Sequence, residues 1–169
     1  LNPGLGGSPG ATQTLFSGIQ LMMPGETAPT HRHVPSALRV IVEGNGAYTT
    51  VSGEKTLMRP GDFVTDSHWA WHAHGNETDE PMMWLDGLDM PFVLALNAMF
   101  YEELGDGYQT QPLTRELDDS QGRYNRGFRP HNDRFAGNYS PILNYRYDDV
   151  RETLELMDRA GDAHAEEEG

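Results

Sequence analysis

An all-β barrel or sandwich is the fold this sequence predicts, and three observations carry it. Runs rich in Val, Ile, Thr, Tyr and Phe follow one another at short intervals between residues 12 and 88, the spacing of strands in such folds. Gly and Pro turn signals separate them, at 24–25, 44–46, 52–53 and 60–61. One segment alone, near the C-terminal end, has helical periodicity, and 169 residues suit one domain, long enough for a core but short for two.

Taken in order, residues 1–10 hold too much Gly and Pro for a regular element and read as a lead-in loop. Thr12 to Met23 is the first strand, with no Pro inside it. Gly18 in its interior marks either an ordinary bend or a place where a ligand nears the backbone. Pro24-Gly25 turns the chain into a strand bearing His31 and His33, and Pro35 interrupts the ladder. Ala37 to Glu43 is apolar except for Arg39, which must face solvent or find an anionic partner, since an unpaired buried charge is costly. Glu43-Gly44-Asn45-Gly46 carries the Asn-Gly signal of a type I′ hairpin. Strands follow at Ala47 to Val51, Lys55 to Met58, Asp62 to Thr65 and Met82 to Leu88, the last with Asp86 isolated among Trp84, Leu85 and Leu88.

Residues 1–100 are thus expected to form a barrel, with 92–104 supplying a closing strand or short helix. Residues 101–147, rich in Gly, Asn, Asp and Arg, read as a loop-rich extension packed on it. Residues 148–161 are a linker-type helix, opened by a capping box around Asp148-Asp149-Val150-Arg151-Glu152, with Val150, Leu154 and Met157 in helical register and Gly161 as its stop. Residues 162–169 form an acidic tail.

The chemistry concentrates between residues 25 and 76. Residues two apart on a strand share a face, about 7 Å apart along the chain, so His31 and His33 can aim two imidazoles at one ion. His72 supplies a third, and His74 lies one pleat further on, placed to touch a bound substrate. Any single histidine is more often a hydrogen-bonded core or surface residue, but two His-x-His pairs, each after a Pro/Gly turn, point to a metal. Arg39 lies six residues beyond His33, an even spacing that favours the same face. It is expected there to bind a substrate carboxylate, with a structural ion pair as the other reading. Trp69 and Trp71 read as core, with stacking on a ring-shaped substrate as the other reading, and His68 as surface.

Gly25, five residues, then His31-x-His33, and Pro60-Gly61-Asp62 followed by His72-x-x-x-Asn76, resemble the two cupin motifs. The metal-binding Glu of most cupins is missing, with Ala37 and Leu38 in its place. The strings His31 to Arg39, Val42 to Tyr48, Trp69 to Asn76 and Trp84 to Asp89 resemble the gentisate 1,2-dioxygenase group, which replaces that Glu and holds iron with three histidines. The resemblance runs from about Asn2 to Asp149.

It implies a cupin (double-stranded β-helix or jelly-roll) barrel and Fe(II) on His31, His33 and His72. Gly18 and Gln20 would line the pocket, Arg39 would fix the substrate carboxylate and His74 would move a proton. Asp86 would orient His74 or Arg39; a turn-forming Asp before Gly87 is the other reading, and Asp89 competes for the role. The implied reaction opens gentisate with O₂ between its carboxyl- and adjacent hydroxyl-bearing carbons, giving maleylpyruvate. Salicylate or 1-hydroxy-2-naphthoate cleavage is the alternative, decided near Phe16 and Gln20, as is a non-catalytic module binding a small acid. Members of that group are usually bicupins and oligomers, so a homo-oligomer is expected, and the chain is either part of a longer protein or a single-barrel relative.

Composition narrows the partners. The net charge of −14 argues against nucleic acid and anionic membrane. Lys55 is the only Lys; such acidity fits either a high-salt cytoplasm or simple acidic bias. No Cys is present, which excludes disulfides and a cysteine nucleophile. No apolar run nears the roughly 20 residues of a membrane span, nor does any stretch read as a secretory leader, so a cytoplasmic location is expected.

Overall fold

Two five-stranded antiparallel sheets make up the computed structural model, which describes residues 2–7, 10–105, 110–120 and 141–167. The first sheet runs β1 (Phe16–Met22), β8 (Met82–Leu88), β3 (Ala37–Glu43), β6 (Phe63–Asp66), β10 (Asn144–Tyr145). The second runs β5 (Glu54–Leu57), β4 (Tyr48–Val51), β7 (His72–Gly75), β2 (Thr27–His33), β9 (Tyr101–Glu103). Two α-helices, α1 (Met90–Ala95) and α2 (Tyr147–Glu167), complete the described elements together with a 3₁₀ turn at Pro3–Leu5.

Period-two alternation sorts the side chains. On the first sheet the inward residues fall into cross-strand rows, because Gly18 and Arg39 both pair with Asp86, while Gln20 and Ile41 both pair with Trp84. One end of this inner face is apolar, with Met22, Ile41, Val64, Met82 and Trp84 buried together with Ala47, Val51, Met58 and Leu143. The other end is polar, carrying Arg39, Asp66 and Asp86, all buried. Oily packing therefore closes one end of the barrel and leaves charge at the other. Outward, β1 and β3 expose Ile19, Leu21 and Val42, each more than half accessible.

Some elements differ from their sequence reading. β1 starts at Phe16 rather than Thr12, because the Thr12 hydroxyl accepts hydrogen bonds from the Thr14 and Leu15 N–H groups and curls the chain. The Asn45-Gly46 turn is not a hairpin: β3 and β4 belong to different sheets, and the segment is a corner between them. Gly44 there has φ +87°, and a Cβ on it would meet the Pro81 carbonyl oxygen at 2.5 Å. The β4–β5 turn is a true two-residue hairpin, with Ser52 at φ 47° and Gly53 at φ 83°.

The described parts of 101–147 are more than loops, since they give an edge strand to each sheet. β9 pairs with β2, and β10 with β6. Residues 106–109 and 121–140 lie outside the described residues. Helix α2 runs to Glu167, past Gly161. One Gly costs a helix only about 1 kcal/mol, and the Ala and Glu residues after it favour continuation. Among the described residues no helix is long and apolar enough to cross a membrane.

Candidate metal centre

Strands β2 and β7 lie side by side with His31 opposite His72, after a register shift between Ala28 and His31. Three imidazoles converge there, with ring centroids 4.3 Å apart for His31 and His72, 4.7 Å for His33 and His72, and 5.7 Å for His31 and His33. Their potential ligand atoms all lie within 4.8 Å of one another.

Each ring is oriented by the same device. The Nδ1 of His31 lies 2.8 Å from the Pro29 carbonyl oxygen, that of His33 2.8 Å from Pro35 O, and that of His72 2.9 Å from Ala70 O. A carbonyl can only accept, so Nδ1 carries the proton in all three and Nε2 is left with its lone pair, as a ligand needs. His72 Nε2 is buried and has no hydrogen-bond partner among the described residues, a cost that a bound cation would remove.

Burial also favours the neutral form of His72 and His33. It draws the pKa of His72 down to about 4 and lowers that of His33, in each case as the largest influence. Burial, followed by the Arg39 charge, lowers His74.

A histidine whose folded pKa is depressed costs stability as pH falls through its unfolded value, because the unfolded chain takes up the proton first. The metal-free protein is therefore expected to melt progressively lower from about pH 6.5 to pH 4. His72 alone contributes about 3 kcal/mol over that range at 1.36 kcal/mol per unit. Thermal melts of metal-free protein between pH 7.5 and 4.5 check this; a flat profile would contradict it.

The opposite wall comes from the first sheet. Arg39, 5% exposed, is held between two carboxylates, with Nη1 on Asp66 Oδ2 and Nε 3.0 Å from Asp86 Oδ1. Asp86 also accepts from Trp84 Nε1 at 3.1 Å. Burial pushes the Asp86 carboxyl up against the pull of Arg39. At Asp66 burial acts the same way, but Arg39, His72 and His74 outweigh it and hold the carboxyl well below its usual range.

The structure thus brings Arg39 together with Asp86, and His74 beside the three converging histidines, its ring centroid 5.8 Å from that of His72. Gly18 pairs with Asp86 in the adjoining row, and Gln20 with Trp84. Asp89 turns away, accepting from the Ser36 N–H at 2.8 Å. His68 is exposed, and Asn76 donates to Met22 O and Glu80 O, tying β7 to its neighbours. A groove of about 500 Å³ includes Leu15, Phe16, Ala37 and Asp86 in its lining.

Asp66 was not legible as a site residue from motifs. Its spacing of two from Val64, which puts both on one face of β6, is the signal that could have found it. Its donor atom also lies within 4.8 Å of those of His72 and His74, but the Arg39 guanidinium bound to Asp66 places a positive charge there. His31, His33 and His72 are the better cation site. Three neutral imidazoles leave a divalent ion its full charge and open positions for an anionic, chelating guest.

The comparisons agree with this architecture. The model of the Cupin domain family matches residues 18–88. The chain is 48% identical to gentisate 1,2 dioxygenase 1 of Aquipseudomonas alcaligenes over 161 residues, 95% of this chain and 46% of that protein. It is 35% identical to 1-hydroxy-2-naphthoate 1,2-dioxygenase of Nocardioides sp. (strain KP7) over 160 residues, 94% of this chain and 41% of the other. A crystal structure of salicylate 1,2-dioxygenase from Pseudoaminobacter salicylatoxidans in adducts with gentisate superposes with TM-score 0.81 at 37% identity, covering 94% of this chain and 44% of that one. The chain spans about half the length of the curated relatives it matches.

Proposed function

The chain belongs to the gentisate 1,2-dioxygenase family of cupins, and from that premise we propose that it is the metal-binding barrel of an Fe(II)-dependent dioxygenase that opens gentisate between its carboxyl- and adjacent hydroxyl-bearing carbons to give maleylpyruvate. The observation that carries this reading is the ligand set, three histidines with Nε2 free and no carboxylate among them. Fe(II) on this set would supply Lewis acidity and a redox centre at which a chelating hydroxy acid and O₂ come together.

The chain's own residues do the rest. Arg39, oriented by Asp66 and Asp86, offers its remaining N–H groups to the substrate carboxylate. His74 Nδ1, buried and without a hydrogen-bond partner among the described residues, takes and returns the proton of a ring hydroxyl. Gly18 leaves room beside Asp86, where an added Cβ would press on Phe16 at 2.9 Å. Gln20 and Phe16 shape the ring's other side and set which aromatic acid fits. We also propose that it is cytoplasmic and a homo-oligomer, the second of these supported by the apolar outer face of β1 and β3.

Oxygen consumption by anaerobically iron-loaded protein tests the proposal, with gentisate, salicylate and 1-hydroxy-2-naphthoate compared. Uptake matched one to one by the ring-opened product of gentisate, and faster than with the other two acids, is expected. Iron-loaded protein that binds gentisate yet consumes no oxygen would overturn it.

A further inference from the structure

The outward face of the ligand strand carries a second construction. Arg32 lies between His31 and His33 and therefore points away from the metal. Its guanidinium carbon sits 4.4 Å from the ring centroid of Trp69 and 4.4 Å from that of Trp71. Its Nε donates to Glu102 Oε2 of β9 at 2.8 Å. One side chain thus grips the ligand strand, the segment that leads into His72, and the edge strand beyond. The Trp69 N–H donates to the His33 carbonyl at 2.8 Å, and Trp69 holds φ +57°, a left-handed backbone that a bulky residue rarely adopts.

Gln111 repeats the tie from the extension. Its backbone N–H donates to Thr30 Oγ1 at 3.0 Å, and its side-chain amide lies 3.1 Å from the Trp71 carbonyl, where the amide nitrogen, turned toward it, donates. Thr30 immediately precedes His31, and Trp71 immediately precedes His72. Two independent braces therefore span the same pair of ligand-bearing segments.

We propose that Arg32 is a positioning residue for the metal, a clamp that fixes the separation of His31 and His33 from His72 through Trp69, Trp71 and Glu102. The inference rests on the metal-centre reading above. A planar guanidinium is suited to the task because it can stack on both indoles while its edge reaches a carboxylate, which an ammonium cannot do. Removing the clamp leaves every ligand in place but lets the two segments drift.

The test titrates metal-free protein with Co(II), followed by its visible ligand-field absorption, for wild type, Arg32→Met, Arg32→Lys and Lys55→Met. Arg32→Met is expected to weaken binding about tenfold or more and to change the band shape, as loss of support for metal ligands does. Arg32→Lys should fall between that variant and wild type, and it carries the comparison if circular dichroism shows Arg32→Met unfolded. Lys55→Met removes a lysine stacked on Tyr48 and paired with Glu77 in the same sheet, and should bind as wild type does. Unchanged affinity and spectrum in the Arg32 variants overturn the clamp. So does equal weakening in Lys55→Met, which would mean general loosening of the sheet. No Co(II) uptake by wild type removes the metal centre itself, and the clamp's role with it.

Discussion

His72→Ala will lose metal and turnover together, with metal affinity down more than about a hundredfold, beyond what loss of an outer-shell partner costs. His72 is the buried member of the triad and the only one on β7, and its buried Nε2 has no hydrogen-bond partner among the described residues. His31 and His33 share one strand and cannot by themselves enclose an ion. Anaerobic Fe(II) titration with parallel oxygen measurement decides the matter. Stoichiometric iron with retained turnover would falsify the ligand assignment. The same variant has a second signature, because removing a buried neutral imidazole removes its proton penalty. Metal-free His72→Ala should therefore melt with a shallower dependence on pH between about 6.5 and 4 than the parent.

Arg39→Met will act on stability as well as on substrate. The substitution leaves Asp66 and Asp86 facing each other's charge in a buried setting without their cation, and breaking such a pair costs about 3–5 kcal/mol. Stability should recover in part when Asp66→Asn is added, since the uncompensated charge is then gone. Iron should stay bound, because none of its ligands is touched, while the Michaelis constant for gentisate rises. Denaturant melts of the two variants, with KM and kcat separated, check both halves. A normal KM in folded, iron-bound Arg39→Met would remove Arg39 from substrate binding and leave it a purely structural ion pair.

The three converging histidines were legible because their signal is local. His31 and His33 are two residues apart on one strand, and His72 keeps its motif spacing to Asn76. The strands were legible for the same reason, since alternation and turn residues act within a few positions. What escaped depends on which strand lies beside which. Asn45-Gly46 has hairpin chemistry, yet the strands it joins part into different sheets. Asn144–Tyr145 looks like loop until β6, some eighty residues earlier, is there to pair with it. The second carboxylate on Arg39, that of Asp66, comes from β6, and the indoles on Arg32 from the approach to β7. None of these partners can be read from the segment that needs it.

The two sheets hold different parts of the site. His31, His33 and His72, the candidate ligands, stand on the second sheet, whereas Gly18, Gln20, Arg39 and Asp86 stand on the first. Substitutions on β1, β3 or β8 can therefore reshape what the ion meets without disturbing what holds it, and changes at well-separated positions combine nearly additively. A lineage built this way can exchange one aromatic acid for another in single steps, each intermediate still metal-loaded and folded. That separability would let the acid that fits change while the ligand arrangement is kept, in line with relatives named for gentisate and for 1-hydroxy-2-naphthoate.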